Sequence, residues 1–456
     1  MGSVVDEVIS IGETGGLEAR LAGSGRAASG EGDGRRGGKM ESGGVAPTYE
    51  GDFVLESHLA LECGRTLVRP VLHYAVYGRL NARRENAVLV CHALSGSALV
   101  GAWWPGLFGD VGDEASVVPR SQKRDLGHPD SDEAAKAGAG QGIVDLERDC
   151  VICVNLLGSC YGSTGPGSVN AEKIEANAGR SASRRVDLGK ADAISLYGPE
   201  FPLVSIRDNV RAQAELMRAL GIERLRLVIG GSIGGMQALE WAILFPEQVE
   251  RAVVIGVAPL NAMGLALNHL QRRAIQGDPE WREGWYLPHQ QPKHGLALAR
   301  QIAMLSYKSP ELFEERFGRN PNRNGEDPWG LDRDGGGLGA DAGRFDVAGF
   351  LDYQGERFPE RFDANAYLAI LRMMDTWDPV RGWRSDVEAF GRIRARVSFV
   401  GISSDGLFPA AGVKALADAT RGAGADAEYR EMRSAHGHDA FLAEQGELVR
   451  VLKDRE

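Results

Sequence analysis

The stretch Leu225 to Phe245, LRLVIGGSIGGMQALEWAILF, constrains the fold of this chain more than any other. An apolar run of β type, Leu225 to Ile229, meets Gly230-Gly231-Ser232-Ile233-Gly234, and a helix-like segment from Met236 to Leu244 follows. This is G-x-S-x-G between a strand and a helix, the context that gives the motif its meaning. Glycines beside Ser232 permit backbone angles closed to other residues and let strand and helix approach closely. A serine at that turn stands at the N-terminus of the helix, where a developing negative charge is stabilised. The motif therefore predicts a nucleophilic Ser232 on a strained elbow. The competing reading is a glycine-rich turn without chemistry.

A chain of 456 residues, 43% hydrophobic and 25% charged, has room for one large α/β domain with an insertion, or for two domains. Its formal charge of −11 and the lack of a basic stripe argue against a nucleic-acid partner. No apolar run approaches the ~18 residues that would span a bilayer. The start, MGSVVDEVISIGETGG, has neither a basic n-region nor an apolar h-region, and acids such as Asp6, Glu7 and Glu13 are interleaved with the early arginines. A cytoplasmic protein is expected. Cys150 and Cys153 form a C-x-x-C, but the surrounding CVICVNLL reads as a buried strand rather than a redox or metal site. No metal is expected.

Residues 1–45 have the composition of a disordered tail. β-like runs follow at Ala87 to Cys91, Val151 to Val154, Leu225 to Ile229, Ala252 to Ile255 and Val397 to Val400, with helix-like segments such as Ile206 to Leu220 between them. Continuous apolar strands alternating with helices predict an α/β fold, a mostly parallel central sheet covered on both faces. Residues 110–145 read as a surface insertion. From 260 to 387 the text turns helical, with HGLALARQIAMLSY and FDANAYLAILRMMD, and carries a flexible stretch at 320–345. The expected organisation is a first core part at 46–259, a helical lid at 260–387 and a second core part at 388–456.

A serine nucleophile needs a base within reach, and the base needs an acid to set its tautomer. On the strand–turn–helix elbow the chain order is serine, acid, histidine. Beyond the helical stretch, GISSDGLFP places Asp405 in a loop after a strand, and EMRSAHGHDAFLAEQ places His436 and His438 before the last helix. His438 is the preferred base and His436 the alternative. Two backbone N–H groups should hold the oxyanion, one from Ile233 and one from Leu94 in the turn after VLVCH. His92, at the end of that strand, suits a structural role better than a second base.

Taken together, GGSIGGMQALEWA, CHALSG, NLLGSCYGSTGP, YGPEFPLVSIRDNVRAQ, YQGERFPERFDANAYL, SSDGLFP and GHDAFL resemble the homoserine O-acetyltransferases of methionine biosynthesis, members of the α/β-hydrolase superfamily. The similarity runs from about residue 50 to the C-terminus. It implies an α/β-hydrolase fold with an inserted helical lid, a homodimer built through lid helices, and a ping-pong transfer from acetyl-CoA, a substrate rather than a bound cofactor, to the hydroxyl of L-homoserine. By the same resemblance Ser232, Asp405 and His438 are the triad, Arg272 in NHLQRRAI meets the amino-acid carboxylate, and Asp439 meets its ammonium. The chain departs from the family pattern at Ser95-Gly96-Ser97, Gly406 and Ile233. A pocket separates substrates differing by one methylene by only ~1–3 kcal/mol, so serine as acceptor and succinyl-CoA as donor stay open beside a plain esterase. A catalytically silent scaffold is the reading from another class.

Overall fold

The computed structural model describes residues 45–108, 142–170, 195–322 and 344–453, with Lys173 and Pro328. The expected tail to residue 45, and most of the insertions expected at 110–145 and 320–345, lie outside the described residues. Ten strands are present among them: β1 (Tyr49–Val54), β2 (Leu59–Ala60), β3 (Thr66–Leu67), β4 (Val71–Gly78), β5 (Ala87–Cys91), β6 (Cys150–Val154), β7 (Leu227–Gly231), β8 (Arg251–Ile255), β9 (Arg396–Ile402) and β10 (Ala427–Met432). Eight of them make one sheet in the order β1-β4-β6-β5-β7-β8-β9-β10, and β2 pairs with β3 apart from it. β1 and β4 are antiparallel to their neighbours, and β6 through β10 run parallel. Every residue of β5, β6 and β7 is buried. That is why these strands read as unbroken apolar runs: with helices on both faces, neither side chain direction meets water.

β7 lies in the middle of the sheet, with Val88, Leu89 and Val90 of β5 opposite Leu227, Val228 and Ile229, and Val228, Ile229 and Gly230 opposite Ala252, Val253 and Val254 of β8. The residue leaving its C-terminal end therefore emerges on the rim where open α/β sheets bind ligands. The helix Ile233–Leu244 then turns back along the sheet. Its first turn touches the end of β5 so closely that a Cβ on Gly234 would run into the carbonyl oxygen of Cys91 and stand 2.9 Å from its carbonyl carbon. Both atoms belong to backbone and have little freedom to yield. Gly234→Ala is accordingly expected to cost about 1–3 kcal/mol of stability, read as a lower denaturant midpoint at an unchanged slope.

Between β8 and β9 the regular elements are helical: Ala262–Gln276, Lys293–Tyr307, Pro310–Arg316, Asp346–Arg357, Ala364–Thr376 and Asp386–Phe390. Asn261, Ser309, Asp363 and Ser385 start four of them by accepting a backbone N–H of the first turn. A buried ion pair ties the far end of this insertion to the core. Arg207 donates its Nε to both oxygens of Glu240 at 3.1 and 3.0 Å and its Nη2 to the carbonyl of Pro379 at 2.9 Å, while Trp377 donates to Glu240 at 3.2 Å. Burial pushes the Glu240 carboxyl up to about 7, against the pull of Arg207.

Five of the ten described strands, β1 to β4 and β10, were not legible in the sequence. β4 carries His73 and two tyrosines, and half of β10, AEYREM, is charged. β10 is the last strand of the sheet, so solvent reaches positions that would be buried in a central strand. Cys150 and Cys153 are fully buried in β6, and burial, with Asp149 beside it, pushes the Cys150 thiol up to about 12. Among the described residues no helix is long and apolar enough to cross a membrane.

Candidate active site

Ser232 follows β7 with φ 58 and ψ −131, a left-handed backbone that a residue with a Cβ adopts only at a cost of roughly 1–3 kcal/mol. The surroundings hold it there. Its N–H donates to the carbonyl of Ile255 at 2.9 Å, and its own carbonyl accepts from Gly235 at 2.8 Å and Met236 at 3.2 Å. The strain aims the side chain away from strand and helix at the sheet's C-terminal rim, where Ser232 is 6% exposed.

Asp405 comes from the loop after β9. Its Oδ1 accepts the N–H groups of Leu407 and Phe408, both at 2.8 Å, and its Oδ2 stands 2.7 Å from Nδ1 of His438. An ionised carboxylate only accepts, so the proton lies on Nδ1 and the lone pair on Nε2. That Nε2 is buried and meets no hydrogen-bond partner among the described residues. A buried acceptor without a partner is costly and rare enough to need a reason. The ring lies among Phe408, Tyr307 and Phe441, with centroids 5.3, 6.0 and 6.1 Å away. Such burial pulls the imidazole pKa down, but the charge and hydrogen bond of Asp405, with Asp439 adding to them, outweigh it and hold the pKa above the ordinary histidine value.

β8 joins the serine to this pair. Ser232 bonds to Ile255, and the next residue, Gly256 at φ 55, lies so near the pair that a Cβ would stand 3.4 Å from Asp405 Oδ2 and 3.5 Å from His438 Cε1. Ser232 at the end of β7 and the Asp405–His438 pair thus both adjoin the end of β8. His436 stands apart, with Nε2 3.8 Å from Glu444.

Leu94 is buried in the turn after β5, and Ile233 opens the helix behind Ser232. Among the described residues neither backbone N–H meets an acceptor, as helix geometry requires of a first-turn donor. His92 is fully buried, donates Nδ1–H to the carbonyl of Ala93 at 2.8 Å and accepts the N–H of Leu156 at 3.1 Å on Nε2. Burial lowers its pKa to about 4, so it is a neutral side chain holding two loops together.

The two charged residues expected to meet an amino acid are differently placed. Arg272, on the helix Ala262–Gln276, is bonded to Asp375, whose other oxygen accepts from Asn268 at 2.8 Å. The structure thus gives Arg272 a counter-ion inside the protein. Asp439 follows the histidine, with Oδ2 3.1 Å from Nζ of Lys308. A cation that sequence reasoning missed lies nearer. The guanidinium of Arg300 sits over the rings of Tyr307 and Phe358, 5.4 and 5.1 Å from their centroids, and Tyr307 packs on His438. No carboxylate pairs with Arg300 among the described residues. Its only signal in the sequence is its place seven residues before Tyr307, on the same helix face.

These features place the chain among known proteins. The model of the alpha/beta hydrolase fold matches residues 137–444. A homoserine O-acetyltransferase of Symbiobacterium thermophilum is 41% identical over 389 residues, 85% of this chain and 88% of the relative. The chain belongs to the homoserine O-acetyltransferase family. The same group of relatives includes a homoserine O-succinyltransferase of Alkalilimnicola ehrlichii, 37% identical over 84% of this chain and 88% of that protein. The family's fold recurs in the crystal structure of homoserine O-acetyltransferase from Bacillus anthracis, with a TM-score of 0.67 at 24% identity over 88% of this chain and 97% of that one.

Proposed function

We propose that this protein is an acyltransferase that moves an acetyl group from acetyl-CoA to the side-chain hydroxyl of L-homoserine, a step of methionine biosynthesis, through an acyl-serine. The observation that carries this reading is the buried, unpartnered Nε2 of His438, fixed by Asp405 on the rim that Ser232 shares. His438 takes the Ser232 proton as Oγ attacks the thioester carbonyl. The N–H groups of Ile233 and Leu94 hold the tetrahedral oxyanion. Collapse expels the thiolate, which leaves as free CoA with the proton from His438. The homoserine hydroxyl then attacks the acetyl-serine and gives its proton to His438; collapse breaks the bond to Ser232 Oγ, which takes that proton back, and the O-acetylated amino acid leaves.

An amino acid is oriented by one fixed cation and one fixed anion. Arg300 is the cation in this reading, because it lies over Tyr307, which packs on His438, and its guanidinium has no carboxylate partner among the described residues. Asp439 Oδ1, the oxygen not taken by Lys308, receives the ammonium. Arg272, paired with Asp375, is the second candidate for the carboxylate. The helical insertion covers the rim and limits water as a competing acceptor. Acetyl-CoA and homoserine enter as substrates; the protein works in the cytoplasm as a homodimer.

Thiol release from acetyl-CoA and from succinyl-CoA, each with L-homoserine, L-serine or no amino acid, tests the assignment. Homoserine-dependent release from acetyl-CoA is expected. Release favoured by succinyl-CoA would make this a homoserine O-succinyltransferase, the name its relatives make the second reading. Equal release without an amino acid would make it an esterase. In the same assay Arg300→Met is expected to lower kcat/KM for homoserine about 10²-fold, because the substrate carboxylate loses its partner in a closed site.

A further inference from the structure

Lys308 follows the helix Lys293–Tyr307 and is buried, with 5% of its side chain exposed. A buried ammonium is tolerated only when paired, and its partner is Asp439, the residue next to His438. The backbone around it meets the same loop. Ser309 Oγ donates to the carbonyl of Ala435. Gly437, at φ 67, faces the lysine's main chain so closely that a Cβ would stand 2.7 Å from Lys308 C and 2.8 Å from Ser309 N. From the sheet side the loop is held by Ser404 Oγ, which accepts the N–H of Gly437 at 3.0 Å. The histidine loop is therefore clamped between the sheet and the helical insertion.

We propose that Lys308 is a positioning residue for His438: through Asp439 it docks the helical insertion on the loop 435–439 and offsets the second carboxylate beside the imidazole. The inference rests on the reading of Ser232 as nucleophile and His438 as base. The groups that face the ring define the electrostatics. Asp405 comes from the β9 loop and Tyr307 from the insertion, with Arg300 behind it; Asp439 adjoins the ring from its own loop and carries Lys308. Phe408 and Phe441 close the remaining sides. Two carboxylates near one imidazole hold its proton too firmly for a base that must be neutral to act. One ammonium on Asp439 removes most of the second carboxylate's effect.

The test reads the base without any acyl acceptor. An alkyl fluorophosphonate is attacked by Ser232 Oγ at phosphorus; fluoride leaves, the P–O bond forms and the serine proton goes to His438. The labelling rate against pH gives an acid limb set by the His438 pKa. Lys308→Met is expected to move that limb up by about 0.5–1 pH unit, a roughly three- to tenfold slower labelling at a pH on the limb, and Lys308→Arg to restore it. Asp439→Asn is expected to move it down, and the double variant Lys308→Met/Asp439→Asn to return near wild type. A limb unmoved in Lys308→Met overturns the inference. If Lys308→Met does not fold, the step from Asp439→Asn to the double variant carries the same test, and an unmoved limb there overturns it equally. Wild-type protein that is not labelled at Ser232 at any pH overturns the nucleophile reading and this inference with it.

Discussion

Ser232→Ala is expected to lower acyl-CoA-dependent thiol release by about 10⁴–10⁶-fold, the scale on which serine nucleophiles are lost. The effect is large because the nearest thiol cannot stand in: Cys91, at the end of the neighbouring strand, is fully buried, and burial raises its pKa far above neutrality. Stability should not fall with activity. Ser232 Oγ makes no hydrogen bond among the described residues, so the hydroxyl contributes chemistry and not cohesion. Thermal unfolding of the variant alongside its thiol-release rate checks both halves; parallel loss of fold and rate would mean that the elbow, and not the hydroxyl, had been damaged.

Asp405→Asn is expected to cost about 10⁴-fold in kcat/KM, nearly as much, without removing any atom that touches substrate. The Asn carbonyl oxygen can still accept from Leu407 and Phe408, as Oδ1 does now. Its amide nitrogen then faces His438 and donates to Nδ1, which forces the ring proton onto Nε2 and removes the lone pair needed by the serine. The pH behaviour gives a second readout. His438 has a raised pKa in the fold, after burial lowers it and Asp405 more than compensates. Wild-type activity therefore rises as pH passes upward through that value, where the imidazolium loses its proton. The ion pair also stabilises the fold fully below the unfolded histidine value of about 6.5, and this contribution is lost as pH rises through the folded pKa. In Asp405→Asn the limb should shift to lower pH, and the extra stability at low pH should vanish.

Particular residues show how far sequence reading reached. Ser232 was legible because an elbow is local: strand, glycines and helix are contiguous, and each signals its conformation. Asp405 and His438 were legible for a different reason. Each follows a recognisable strand or precedes a recognisable helix, and chain order places both loops on the same rim as Ser232. β10 escaped because its charged sequence makes sense only once its place at the sheet edge is known. Arg300 escaped because, within HGLALARQIAMLSY, an arginine at a helical spacing reads as an ordinary partly exposed position.

By itself, then, the sequence determined the parallel sheet, the strained serine and the order of acid and base, since all three follow from runs of adjacent residues whose backbone preferences agree. Only the tertiary structure decided which charges are spent and which are left over. Arg272 and Asp375 are 103 residues apart, and Lys308 reaches Asp439 across the join between insertion and core. Ion pairing depends on distance in space and on the cost of burying a charge alone. Among the described residues a carboxylate pairs with Arg272 and none with Arg300, which distinguishes two arginines that look equivalent in the linear text.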